Sequence, residues 1–275
     1  MYDAGCQSDV SALQRAVGEL RVEVRRREGR TALDGLRQAG CLKARFPRSD
    51  DAGSLAVVTL NTSGGVAGGD TLDSAFTVGP GASATIASQA AERFYRALPG
   101  SSPSCVRNRI AVGAGGLAEW LPQEAILFDS CNVQRSLQVE LSEDARFLGI
   151  ESLVFGRAAM GEAVNHGSLR DIIELRRGEH LLLHDALLLN GEIATKLRRK
   201  AIADGARALA TVLYAAPDAD AMLEPLRRLD VAASAWDGML IARVLGANGA
   251  VLRAAVVDML QVLRGGRALP RVWNC

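Results

Sequence analysis

From Glu19 to Arg25 apolar and charged positions alternate, with Leu20, Val22 and Val24 on one face and charges on the other. That period predicts a half-buried strand. Residues 55–60 (LAVVTL) read as a short apolar strand running into a glycine-rich turn. Leu72, Phe76 and Val78 share a face up to the turn signal Gly79-Pro80-Gly81, and 82–87 reads as the returning strand. The same alternation recurs at Leu137, Val139 and Leu141, around 172–176 and at 180–188. Strands this frequent, with turns between them and no alternating helices, predict a β-rich body rather than a βαβ sheet. No fixed-period repeat is visible. In the last third the spacing of Leu197, Ala201, Leu209 and Leu213 predicts a helix from about Leu197 to Tyr214, stopped by Pro217. Ala250–Leu263 predicts another, with Val251, Ala255 and Met259 beside Leu252, Val256 and Leu260, ended by Gly265-Gly266. The expected fold is mainly β, with many short strands and a helical C-terminal section of two to three α-helices. Residues 1–18 are expected as a flexible tail and 19–275 as one domain: β-rich over 19–195, helical over 196–265, with a closing tail over 266–275.

The 275 residues suffice for a core without staples. Hydrophobic residues make up 48%, which points either to a well-filled core or to apolar surface covered by a partner. Lys plus Arg total 32 against 31 Asp plus Glu, so no basic field marks a dedicated nucleic-acid binder. The run Lys196–Lys200 reads as a solvated surface. Five scattered cysteines without a CxxC pair signal neither a zinc knuckle nor a disulfide framework, which fits a reducing compartment. The first residues carry Asp3 and Asp9 with no apolar signal region, and the longest uncharged stretches are broken by Gly, Ser, Thr and Asn. No membrane span is expected, and the reading is cytoplasmic.

The most informative segment is NTSGGVAGGD, Asn61 to Asp70. Gly64 and Gly69 have the spacing of a phosphate loop, but Asp70 stands where such a loop needs its lysine, and a strand pattern follows instead of a helix. A glycine bend between strands is the plain reading. The segment also strongly resembles the GG-x-x-GGD signature of the UreD (UreH) family of urease accessory proteins. The resemblance continues in ATIASQAAERFYRA (84–97), EWLPQEAILFDSC (119–131), LVFGRAAMGE (153–162) and LPRVW (269–273). These blocks come in family order and span nearly the whole chain.

The resemblance implies a non-catalytic scaffold that bridges the urease apoprotein subunits to UreF, and through UreF to the nickel-carrying GTPase UreG, in a complex for which a dimeric assembly is one option. No tightly bound cofactor is implied; nickel passes in transit through the scaffold's interior. Transit calls for weak oxygen contacts, since a tight site would trap the ion. Asp70, Ser88 and Glu162, all in family blocks, are the candidates for such a path. Each has a plainer reading: Asp70 as a cap on the glycine turn, Glu162 as partner of Arg157, and Ser88 with Gln89 as hydrogen-bonding groups at strand ends. Arg93, Tyr95, Arg96 and Trp273 are the candidates for partner contact, while Trp120 and Leu121 read as core.

Catalysis finds little support. The three histidines are His166, His180 and His184, and the HLLLH pair lies in an apolar run without the H-E-x-x-H pattern. No G-x-S-x-G elbow exists. A metal-dependent hydrolase on a β-rich fold and a plain adaptor without a metal path remain as alternatives. With Asp70 in the lysine's place, calorimetry on the isolated chain is expected to detect no specific binding of ATP or GTP; one-to-one binding at micromolar affinity would overturn that expectation.

Overall fold

A computed structural model describes residues 14–48, 51, 53–157 and 161–274. Strand β1 (Val17–Arg27) begins inside the segment expected as a tail; residues 1–13 lie outside the described residues. The buried Leu20, Val22 and Val24 confirm its alternation. β1 pairs antiparallel with β2 (Arg30–Gly40), after which β3 (Leu42–Arg45) and β4 (Leu55–Asn61) form a second hairpin. There follow β5 (Thr71–Val78), β6 (Ser83–Ser88), β7 (Glu92–Phe94), β8 (Ser104–Val112), β9 (Leu117–Trp120), β10 (Ala125–Leu127), β11 (Cys131–Leu141), β12 (Arg146–Phe155) and β13 (His166–Arg177).

From β4 to β13 the chain passes back and forth between two sheets. β5, β8, β11 and β13 lie parallel in one; β4, β6, β9 and β12 lie parallel in the other. Parallel neighbours need a crossover, and here each crossover is a strand of the opposite sheet instead of a helix. Returns from the first sheet to the second are tight: residues 79–82, 113–116 and 142–145. Passages from the second sheet to the first are longer, 62–70, 89–103, 121–130 and 156–165, and carry the short β7 and β10. Because the passages differ in length, successive turns of this coil have no common period, and no repeat is visible in the sequence.

β14 (His180–Glu192) closes one end of the first sheet, whose order is β14-β13-β11-β8-β5-β1-β2. The second sheet continues beyond β12 with β15 (Ala208–Ala215), β17 (Met239–Gly246) and β16 (Ala232–Trp236), all antiparallel. Its order is β16-β17-β15-β12-β9-β6-β4-β3. One apolar core fills the space between the sheets. A second lies on the outer face of the second sheet, under helix α3 (Gly249–Leu263), which with α1 (Ile193–Leu197) and α2 (Leu223–Arg227) makes three α-helices among the described residues.

The mainly β body with three helices in the last third is as the sequence predicts. The helix expected from Leu197 to Tyr214 is not. α1 ends at Leu197, turns follow, and β15 begins at Ala208; with β16 and β17 it puts three strands inside the section expected to be helical. The reason is double burial. β15 lies between the two cores and is buried on both faces, with Thr211 a polar interruption towards a small cavity, so its alternation vanishes, and Leu209 and Leu213 share a face in a strand as they would in a helix. α3 is as expected. Asn248 caps it by accepting the Val251 amide at 3.0 Å, and Leu252, Val256, Met259, Leu260 and Leu263 face the sheet.

The closing residues belong to this second core. A 3-10 turn at Arg271–Asn274 buries Trp273, whose Nε1 donates to the Leu121 carbonyl at 3.0 Å while the Arg253 guanidinium sits 4.7 Å from its ring. Trp273→Ala removes a buried indole and a cation–π contact. It should cost about 3–5 kcal/mol in urea denaturation; an unchanged midpoint would show that the tail does not dock.

Candidate functional site: a polar cavity where the motifs converge

The four long passages lie on the same side of the sandwich, and they hold four of the five sequence blocks. In the first, Gly64, Gly65 and Gly69 take positive φ (80°, 143° and 89°). A Cβ on Gly65 would stand 2.3 Å from the ring of Tyr95. That ring closes the loop, its hydroxyl donating to the Gly64 carbonyl at 2.7 Å. Val66 bridges to Phe94, Tyr95 packs edge-on against Phe128 at 5.1 Å, and Arg157 lies 4.5 Å over Phe128 while pairing with Glu162 at 2.7 Å. The fifth block, the tail, meets the third: Gln123 donates to the Val272 carbonyl at 2.8 Å.

Beneath this surface a cavity of about 220 Å³ enters the space between the sheets, bordered by Asn61, Ser88, Glu92, Trp120, Arg135 and Glu151. At its inner end Arg135 is buried between two carboxylates. It bonds Glu151 and lies 3.6 Å from Asp171, and the Trp120 Nε1 donates to Glu151 at 2.8 Å. Glu151 also borders a smaller cavity of about 60 Å³, lined by Asp171, Thr211, Asp185 and Arg243. The charged cluster therefore stands between two cavities. Among the described residues, one terminal nitrogen of Arg135 meets no acceptor. A polar cavity of this size has room for the water that would satisfy it.

Burial raises the pKa of Glu151, against the pull of Arg135. Burial likewise raises that of Glu92, against the hydrogen bond that Asn61 donates to it at 3.1 Å. For Arg135 desolvation is opposed and outweighed by Asp171 and Glu151, so the guanidinium stays charged. Glu119, nearby on β9, behaves oppositely. Burial would raise its pKa, but Arg264 at 3.0 and 2.9 Å, Thr85 at 2.7 Å and Arg267 at 2.7 Å hold it below the usual carboxylate range. That clamp fixes the end of α3 to the sheet.

Of the residues singled out in the sequence, Ser88 lines the cavity, accepting the Gln123 amide at 2.8 Å and donating to the Ala90 carbonyl at 3.0 Å. Asp70 and Glu162 do not join it. Both Asp70 oxygens accept main-chain amides, Ala16 at 2.8 Å and Ala67 at 2.7 Å, so this buried carboxylate caps the glycine turn and clips the start of β1. Glu162 pairs with Arg157. Arg93 is exposed at the cavity rim, Arg96 is exposed 3.8 Å from Asp129, and Tyr95 is half-buried against the glycine loop. Trp273, a candidate for partner contact, is buried in the chain's own core. His184 pairs across strands with Glu174 at 3.0 Å, away from the cavity.

Sequence reasoning passed over Glu92, Arg135, Glu151 and Asp171, although each left a signal. Arg135 sits at the inward parity of Val133 and Leu137, and Asp171 at that of Leu169 and Ile173. Glu151 is the lone charge inside the apolar run FLGIESLVF. Glu92 stands in a quoted family block.

Comparison with known proteins gives the same direction. The profile of the family described as UreD urease accessory protein matches residues 16–274. The chain belongs to the UreD family of urease accessory proteins. A UreD urease accessory protein of Dinoroseobacter shibae is 45% identical over 98% of this chain and 96% of its own length. Those of Sinorhizobium medicae and Agrobacterium fabrum are 42% and 38% identical, covering 96% and 98% of this chain and 97% and 96% of their own lengths. Members of the family thus align with the coil and the C-terminal tail together. Among the described residues, no helix is long and apolar enough to cross a membrane, and no cluster of three or more His, Cys, Asp or Glu is placed to hold a metal ion.

The raised pKa of Glu92 fixes the sign of a pH effect. A carboxyl that titrates higher in the folded state favours folding while protonated, so its stabilising contribution is lost as pH rises from the unfolded toward the folded pKa. Glu92→Gln should therefore melt above the parent at pH 7.5, with the gap closing as the pH falls toward 4.5. A gap that widens on acidification would contradict the burial of this carboxyl.

Proposed function

We propose that the chain is a non-catalytic cytoplasmic scaffold for nickel insertion into urease. It joins the urease apoprotein to UreF, and through UreF to the GTPase UreG, and lets nickel cross its interior. The observation that carries this reading is the polar cavity between the sheets, which opens among the family blocks and carries Glu92 and Glu151. Divalent nickel accepts carboxylate and water oxygens, and a closed set of imidazoles or thiolates would retain it. The cavity offers isolated oxygens instead. Ser88, Glu92 and Glu151 are spaced along it, each already engaged by a neutral N–H or carbonyl group or by Arg135. Contacts of that kind pass an ion onward. Asp70 and Glu162 serve the path indirectly, holding the loops near its mouth, and Arg93, exposed at that mouth, meets a partner together with the exposed Arg96.

Cells lacking this protein are expected to make urease polypeptides at normal levels, with little nickel and little activity. Metal analysis of urease purified from a clean deletion provides the check. Normal nickel content there would remove the assignment.

A further inference from the structure

The two sheets have open edges at β14 and β16, and these edges lie side by side. Trp236 of β16 donates its Nε1 to the Leu182 carbonyl of β14 at 3.1 Å, and Arg243 pairs with Asp185 further along. Beyond these ties the edges enclose an apolar groove of about 280 Å³, lined by Leu187, Leu189, Leu197, Ile202, Leu209 and Leu245. Ile202 is 42% exposed and Leu245 47%. Among the described residues no strand pairs with the outer edge of β14, whose 13 residues leave main-chain groups open to an extended segment.

The turn that supplies Leu197 and Ile202 to this groove is basic, and its cations flank those two lining residues in sequence. Lys196, Arg198, Arg199 and Lys200 stand against the single carboxylate of Asp204 between residues 196 and 206. None of these four cations forms an ion pair with a carboxylate among the described residues. Lys196 donates to the Asn190 carbonyl and Arg198 to the Thr195 hydroxyl, while Arg198, Arg199 and Lys200 are exposed. A solvated surface needs no apolar groove beside it, and a groove awaiting a second copy of this chain would set two such basic turns against each other. Cations without a carboxylate partner on the turn beside an apolar slot match a chain of opposite charge with apolar side chains.

We propose that this groove is a docking site for an extended acidic segment of a partner protein, whose large apolar side chains enter between β14 and the 197–206 turn while its carboxylates meet the basic rim. The inference rests on the proposed function in one respect: the partner is a protein of the urease maturation assembly. It adds a second face to the scaffold, at sheet edges separate from the mouth of the polar cavity.

The test uses the purified full chain with apo-urease and with UreF, binding to each measured separately at several salt concentrations. Two variants are compared with the parent: R198Q/R199Q/K200Q, which neutralises the rim, and I202Q/L245Q, which makes the slot polar. All five side chains are solvent-exposed, and unchanged melting curves confirm that both variants fold. The expected result is that both lose about tenfold or more in affinity for the same one of the two partners. The rim variant should also flatten the salt dependence of that binding. Parent-like affinity of either variant for both partners overturns the docking site. If the parent binds neither protein, the scaffold reading itself fails, an outcome distinguishable from the first because the parent and not the variants reports it.

Discussion

Arg135 cannot leave Glu151 and Asp171 without stranding charge in the interior. Three ionic groups and the Trp120 N–H meet where β11 and β13 of one sheet face β12 of the other. Breaking such a cluster costs several kcal/mol because the remaining charge is unpaired, whereas well-packed apolar residues would do as well or better for stability alone. Its presence therefore fixes the spacing and register of the sheets at this level, and it keeps the interior polar on both sides. The two cavities exist because the packing here is charged instead of interdigitated.

The coil determines where chemistry gathers. Each turn returns from the first sheet to the second through four residues and goes back through nine or more. Four of the family blocks fall on the long passages, so segments distant in sequence stack along one side of the sandwich. Asp70 clips the first passage to β1, Tyr95 and Phe128 join the first three, and Arg157 adds the fourth. The tail then holds the outer layer: Trp273 anchors in the second core, and Glu119 binds Arg264 and Arg267. One side of the molecule is thus built of irregular loops on a rigid base, the usual setting for recognition.

Where one face of a strand is wet, the sequence is plain: Leu20, Val22 and Val24 in β1, and Leu137, Val139 and Leu141 in β11, declare a strand and its inward side. Where both faces are dry, it is not. β15 has no alternation, which is why residues 197–214 read as a helix. The coil was hidden by passages of unequal length, and parallel pairing leaves no mark on a single strand. The family blocks located the loops around the site, but Asp70 and Glu162, the carboxylates most conspicuous in them, serve the loops themselves. The groups that make the interior polar are betrayed by parity. Arg135 and Asp171 occupy positions where the period calls for an apolar side chain, and each such violation on a buried face needs a partner.

Passage of nickel through this interior, as proposed, is most open to test at Glu92. The most direct measurement is the nickel content of urease activated in the presence of Glu92→Leu or Glu92→Asp, with assembly of the complex confirmed in the same samples. Leucine replaces the carboxylate at the cavity by an apolar branch, while aspartate keeps the oxygens. The expected result is an assembled complex in both, with urease left poor in nickel by the leucine variant and loaded close to normal by the aspartate variant. Full nickel loading at the normal rate through Glu92→Leu would contradict passage by this route.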